Sequence, residues 1–396
     1  MPKRFVRLLL PLLAGFLAAC EPIPPSLPVS AHSPPVKAVA PSAPVPDPGV
    51  ATRAVDLDTL ADLDAIMPKL AAQRVVFVGE VHNRLEDHRN QLQIIRRLHA
   101  LHPHMAIGME YFQQPFQRYL DEYVAGRISE DAMLRGTEYF RRWGYDYRLY
   151  APILRFARAH GIPLVALNLP VEITRQVGRS GLGSLTPAQR ARIPQDIDRS
   201  DKAYRKRLKR VYDEHGGPHR PTFEHFYSVQ LLWDEGMAAR AARYLRRHPK
   251  RRLVVLAGNG HLEYGSGIPR RLTRRVAVRS AIVLNDMPQM LEPGLADFVL
   301  LSRHESLPPA GVLGVVLQRD GDALRIGKLD PDGAAAAAGL RVGDRLLAIA
   351  GQPVDKPADV RVAMWNKRPG QSVRVMVRRS HWLRADQVLT VTARLH

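Results

Sequence analysis

The sequence predicts an α/β fold, a largely parallel sheet with helices on both faces, followed by a small C-terminal β-rich domain. Short apolar runs alternate with longer stretches of helical period, and strand–helix–strand order in one sheet calls for right-handed crossovers and parallel strands. After Asp297 the texture changes to short strands alternating with Gly-Asp turns, the pattern of a β-rich unit.

The apolar runs each stop on polar residues. In "QRVVFVGEVHN" (Gln73–Asn83), Val75–Val78 gives way to Gly79, Glu80, Val81 and His82. "HMAIGMEYF" passes through Ala106 and Ile107 to Glu110, and "GIPLVALNLP" passes through Leu164–Leu167 to Asn168. "RRLVVLAGNGH" runs from Leu253 to Ala257 and then reaches Gly258, Asn259 and His261, while "RSAIVLND" stops at Asn285. Between them, helices are expected over Leu85–Leu101, over Tyr150–His160 before the stop signal "HGIP", and over Phe223–Leu245, where Phe226, Val229, Leu232, Trp233, Met237, Ala241 and Leu245 lie near one stripe. Open α/β sheets bind ligands beyond the carboxyl ends of their strands. Glu80, His82, Glu110, Asn168 and His261 are therefore expected at one shared site, although a simple cap would also explain Asn168.

The first twenty residues read as a secretory signal: Lys3, Arg4 and Arg7, then an apolar stretch from Leu8 to Ala19. "LAAC" resembles a lipobox with Cys20 as the lipidation site, so membrane lipid is an expected partner through acyl chains. With Glu21 next, the expected location is the outer membrane of a bacterial envelope, facing the periplasm. Cys20 is the only cysteine, which excludes a disulfide and a thiolate metal site. Residues 20–54 form a tether rich in Pro and Ala, extended at ~3.1 Å per residue where it adopts polyproline geometry. The net charge of +20 gathers at Lys202–Arg210, Leu245–Arg252 and Arg270–Arg275. With a secretory signal, anionic lipid or an acidic ligand suits these clusters better than nucleic acid.

"GEVH" (Gly79–His82) and "GNGH" (Gly258–His261), with "GMEYFQQPFQ", "RRWGYDYRLYAPIL", "VALNLP" and "FYSVQLLWDEGMAARAARYL", resemble the ChaN-like haem-binding lipoproteins of the Tiki superfamily, here over a domain at residues 55–297. The resemblance implies a non-enzymatic haem- or iron-binding lipoprotein of bacterial iron uptake. It implies two haems stacked face to face in a homodimer, a tyrosine on each iron, and a histidine and a basic side chain of the other protomer on the propionates. Tyr145, Tyr147 and Tyr150 are the candidate iron ligands, with Tyr111 behind them. Phenolate is a hard anionic ligand for ferric haem, and Arg141, Arg142 or Arg148 is expected to favour that phenolate. Of Asp234 and Glu235, one is expected to enter the site and the other to lie on the helix surface.

His82, His261, Glu80 and Glu110 would also suit a first-row divalent metal. Related superfamily members are proposed metalloproteases, so a metal-dependent hydrolase is the rival reading; H-E-x-x-H is absent. His99, His102 and His104 read as solvated residues at a helix end. The loop carrying His215, His219 and His225 is a candidate cover for a flat ligand.

Residues 308–396, above all "AAAAAGLRVGDRLLAIAGQPV", resemble a PDZ domain. By that resemblance Val312, Leu313 and Gly314 form the turn that holds a peptide's terminal carboxylate, and a helix over Ala358–Lys367 makes the other wall. A scaffold in which this domain carries the function is the third reading.

Overall fold

The computed structural model describes residues 60–214, 220–285, 291–381 and 384–396. The expected signal, Cys20, most of the tether, His215 and His219 lie outside the described residues. The chain divides into units Met1–Asp62 and Leu63–His396, and the second is described here. Among the described residues no helix is long and apolar enough to cross a membrane.

Six strands, β1 (Val75–Glu80), β2 (Met105–Gln113), β3 (Leu164–Asn168), β4 (Arg252–Gly258), β5 (Ser280–Asn285) and β6 (Phe298–Leu300), form one sheet in the order β3-β2-β4-β1-β5-β6. Every pairing is parallel. The final strand, β6, joins this sheet just past Asp297, where the sequence changes texture. Helix α1 (Leu63–Ala71) precedes β1, and the crossovers carry α2 (Leu85–Leu101), α3 (Gln117–Val124), α4 (Glu130–Gly136), α5 (Tyr139–Arg142), α6 (Tyr147–Ala159), α7 (Val171–Ser180), α8 (Pro187–Arg190), α9 (Lys202–Glu214), α10 (Phe223–Arg247) and α11 (Ile268–Arg275).

Successive strand side chains go to opposite faces. Val76, Val78, Val254 and Leu256 pack with Leu92 and Ile95 of α2 and Ile153 and Leu154 of α6. Val75, Phe77, Leu253 and Val255 pack with Met237, Ala241 and Leu245 of α10 and Leu272 of α11. At about 1.5–3 kcal/mol for each fully buried aliphatic side chain, this two-sided burial is what clamps helices to both faces. The helix α6 begins at Tyr147 rather than Tyr150, because the Asp146 side chain caps it by accepting from Arg148 N at 2.9 Å.

The expectation that one of Asp234 and Glu235 lies on the helix surface is corrected: both are fully buried. Glu235 is enclosed beneath α11, where Arg271 Nε lies at 3.2 Å and Arg275 Nη2 at 2.6 Å. A buried carboxylate persists only with such partners.

The C-terminal region has β7 (Val315–Asp320), β8 (Ala323–Leu329), α12 (Ala334–Ala337), β9 (Arg345–Ile349), β10 (Gln352–Pro353), α13 (Pro357–Met364), β11 (Ser372–Arg379) and β12 (Gln387–Arg394). The sheet is antiparallel, in the order β12-β11-β9-β8-β7, over a core that includes Leu324, Ile349, Ala363 and Val375. The opposite side of α13 joins the first domain. Val362 and Trp365 belong to its apolar cluster, and Trp365 meets Tyr147 edge-on at 4.9 Å.

Candidate functional site

The central strands β2, β4 and β1 end side by side, and what they present is a chain of carboxylates and imidazoles. Glu80 closes β1 and accepts through Oε1 from His82 Nδ1 at 2.5 Å. Its Oε2, which no donor reaches in hydrogen-bond geometry, lies 2.9 Å from His88 Nδ1 on α2. His88 Nε2 is 3.2 Å from the His82 carbonyl, so the second histidine steadies the loop that carries the first.

A second arm crosses from α10. Tyr204 Oη donates to Asp234 Oδ2 at 2.5 Å, and Asp234 Oδ1 lies 2.6 Å from His261 Nδ1. His261 Nε2 is 3.4 Å from Glu110 Oε1, while Glu110 Oε2 accepts from Gly258 N at 2.8 Å. The arms meet over Gly258, where an added Cβ would stand 3.0 Å from His82 Cε1 and 3.8 Å from Glu110 Oε2. A side chain there would press on the imidazole, which packs against bare backbone. Behind the arms, Asn285 Nδ2 donates to Gly79 O at 2.8 Å and Asn259 Nδ2 donates to Asn285 O at 2.7 Å, tying β1, β5 and the "GNGH" turn together.

The electrostatics follow from this pairing. Burial alone would raise Glu80, but His88 and His82 overcome it and hold the carboxyl at about 2. Burial opposes charge on the imidazoles, yet Glu80 raises both His82 and His88. His261 stands well above the usual histidine value because Glu110 and Asp234 outweigh its burial. Glu110 is lowered against its own burial by His261 and His82. The edge is thus a set of paired opposite charges.

The tyrosines separate clearly. Tyr147 is buried and donates to Glu130 Oε1 at 2.9 Å; Tyr150 is buried and donates to the His82 carbonyl at 3.0 Å. Tyr111 is buried against Gln91 Oε1 at 3.3 Å. Tyr145 alone among these is only partly buried, and no group among the described residues hydrogen-bonds to its hydroxyl. Its ring lies 5.0 Å from that of His82 and 5.4 Å from that of Trp143. Burial, then the charges of Glu110 and Glu80, push its phenol up to about 12.

The expected arginine assistance is corrected. Arg141 and Arg142 bind Glu138, and Arg148 binds Asp146 and the Pro308 carbonyl. Each guanidinium is drawn to a nearer carboxylate. Asn168 Oδ1 accepts from Leu169 N at 2.9 Å, a bond to its own chain neighbour rather than to the paired groups.

Glu80, His82, Glu110 and His261 therefore come together as the strand ends suggest, and Asp234 joins them from α10. His88, Trp143 and Tyr204 join them without having been singled out. Among the described residues, no group of three or more His, Cys, Asp or Glu converges with metal-holding geometry.

At the other domain, the Leu313 carbonyl accepts from Ala335 N at 2.8 Å and the Gly314 carbonyl from Asp330 N at 2.9 Å. The amides of Leu313 and Gly314 donate to no described group. Val312 N is already taken by the His396 carbonyl at 3.0 Å, so the open amides begin one residue later than Val312. Gly314 has φ +72, and a Cβ there would lie 3.1 Å from Gly333 Cα.

An open parallel α/β sheet with an aromatic-flanked, charge-paired carboxyl edge defines a ligand-binding protein of that fold class. Residues 66–272 match the family described as "Haem-binding uptake, Tiki superfamily, ChaN", and residues 311–393 match the PDZ domain. The chain belongs to this ChaN-like haem-binding family and carries a C-terminal PDZ domain; haem is the cofactor that membership assigns.

A solved structure described as "Cofacial heme binding to ChaN of Campylobacter jejuni" is 16% identical and covers 62% of this chain and 93% of that one, with a TM-score of 0.50, a likeness of fold. The PDZ domain of a carboxy-terminal protease from Vibrio cholerae, in complex with peptide, is 25% identical over 22% of this chain and 96% of that one, with a TM-score of 0.19. Protein RETICULATA-RELATED 5, chloroplastic, of Arabidopsis thaliana is 24% identical over 61% of this chain; the match spans 36% of that relative's length.

Proposed function

We propose that this chain is a lipid-anchored haem-holding protein of a bacterial envelope, serving iron uptake, and that Tyr145 is its iron ligand. One observation carries the assignment: of the candidate tyrosines, Tyr145 alone is only partly buried and has no hydrogen-bond partner for its hydroxyl among the described residues, and it stands beside His82. The donor set fits the group. A phenol and an imidazole are both haem-iron ligands, and Trp143 Nε1 beside them is buried without an acceptor. Bound haem supplies a ferric centre that favours a hard anionic oxygen.

The residues then have separate tasks. Tyr145 keeps its proton up to about pH 12, so ligation through the phenolate releases a proton and strengthens as pH rises. Glu80 fixes the ring of His82 through Nδ1, leaving Nε2 as its open nitrogen. Asp234 and Tyr204 fix the ring of His261 through its Nδ1, with its Nε2 turned to Glu110. Trp143 gives a flat apolar flank to a flat ligand. A second copy of the chain completes a face-to-face pair, in keeping with the family and with the cofacial haem binding of the similar protein from Campylobacter jejuni. Cys20 supplies the acyl anchor, placing the body at the outer membrane on its periplasmic side. The PDZ domain takes a protein C-terminus, a reading supported by the open Leu313 and Gly314 amides.

Gel filtration of the full chain after addition of ferric haem tests the reading. Haem is expected to co-elute at one per protomer, with weaker retention in the folded fraction of His82→Ala and His261→Ala, each of which also loses stability because a buried carboxylate is left without its imidazole. Haem eluting apart from the wild-type chain would refute it.

A further inference from the structure

A cavity of about 790 Å³ lies away from the strand-end site, where the first domain meets the PDZ domain. Asp131, Ala132 and Arg135 of α4 form one wall. Opposite them stand Arg319 near the end of β7, Asp322 in the turn that follows, and Asp359 in the first turn of α13. We propose that this cavity is the outer half of a composite peptide site, in which the haem domain reads the upstream residues of a tail whose terminus the PDZ domain holds. The inference rests on the peptide reading above.

Three observations place a peptide there. β7 is an edge strand, paired with β8 alone, so one row of its backbone groups is open to an added strand. The open amides of Leu313 and Gly314 stand immediately before β7 and fix where the carboxylate sits. A tail anchored there has to run antiparallel to β7, toward Asp320. At about 3.3 Å per residue the length of β7 spans roughly 20 Å, so about six residues reach its end and the next ones enter the cavity.

The α4 wall is held in place by bonds between the domains. Arg135 donates to Asp359 Oδ1 at 2.8 Å and to Gln352 Oε1 at 2.6 Å. Asp131 accepts from Gln352 Nε2 at 2.7 Å and from Trp365 Nε1 at 2.9 Å. These contacts engage both α4 charges, so the wall keeps its shape without a ligand. Arg319, Lys356, Asp322 and Asp355 add two charges of each sign to the lining. The cavity therefore suits polar upstream residues of mixed character, and the partner is a protein with an extended C-terminal tail longer than a PDZ groove alone requires.

The test uses the full chain and decapeptides with a free carboxylate, drawn as binders from a random C-terminal library and then truncated from the N-terminus to five residues. Truncation is expected to weaken binding by about tenfold or more. Ala132→Trp, which fills the cavity from an exposed position on α4, is expected to remove that difference while leaving the pentapeptide's affinity unchanged. Equal affinity of long and short peptides for the wild type, or an undiminished length effect in Ala132→Trp, would overturn the composite site and leave the PDZ groove standing. Failure to find any carboxylate-dependent binder would overturn the peptide reading and this inference with it.

Discussion

Glu80→Gln removes the charge on which two buried imidazoles depend. The Glu80 side chain is fully buried and lies 2.5 Å from His82 and 2.9 Å from His88, so its contribution needs no discount for solvent screening. Breaking a buried ion pair by deleting one partner costs about 3–5 kcal/mol, because the other charge is left uncompensated. The pH dependence has a definite sign. Glu80 is lowered from 4.5 to about 2, so its stabilisation is complete above 4.5 and is lost as pH falls toward 2. His82 and His88 are raised above 6.5, so their share is complete below 6.5 and fades as pH rises through their folded values. Both contributions are therefore whole between about 4.5 and 6.5. Urea unfolding followed by circular dichroism should give a loss of about 3–5 kcal/mol for the variant at pH 5.5, shrinking at a pH above the folded values of both imidazoles toward the ~1 kcal/mol of a neutral hydrogen bond. A loss that is the same at both pH values would refute the charge-paired account of this edge.

The tyrosine series should separate packing from ligation. Tyr147→Phe deletes a hydroxyl bound to Glu130 and should cost about 1.5–3 kcal/mol, Tyr150→Phe about 1 kcal/mol, and Tyr145→Phe almost nothing in thermal unfolding. Trp365→Ala removes a buried indole shared by both domains and should cost about 3–5 kcal/mol, with loss of cooperative unfolding between them. Cys20→Ser should move the protein from the membrane to the soluble fraction after a salt wash, as fractionation and blotting would show.

The sheet was legible because its strands are short apolar runs with polar ends, and because Val76 and Val78 alternate with Val75 and Phe77 to satisfy two faces at once. The same ends exposed Glu80, His82, Glu110 and His261, and the "WDEG" of α10 pointed to Asp234. His88 was hidden: it lies in the first turn of α2, beyond the loop that follows Glu80, and a histidine between Asp87 and Arg89 reads as a polar face. Tyr204 was masked by the basic residues around it. The choice among Tyr145, Tyr147 and Tyr150 was beyond the sequence, since it depends on Glu130 and the His82 carbonyl arriving from elsewhere. Likewise the outward face of α13 reads as an ordinary amphipathic helix until Val362 and Trp365 are seen inside the first domain's core.

The absorption spectrum of ferric haem bound to the full chain, measured beside that of Tyr145→Phe, tests the central claim most directly. The account predicts a high-spin spectrum with a phenolate charge-transfer band in the wild type and its loss in the variant, with the fold intact. The same band in Tyr145→Phe, or a low-spin bis-histidine spectrum in the wild type, would contradict it.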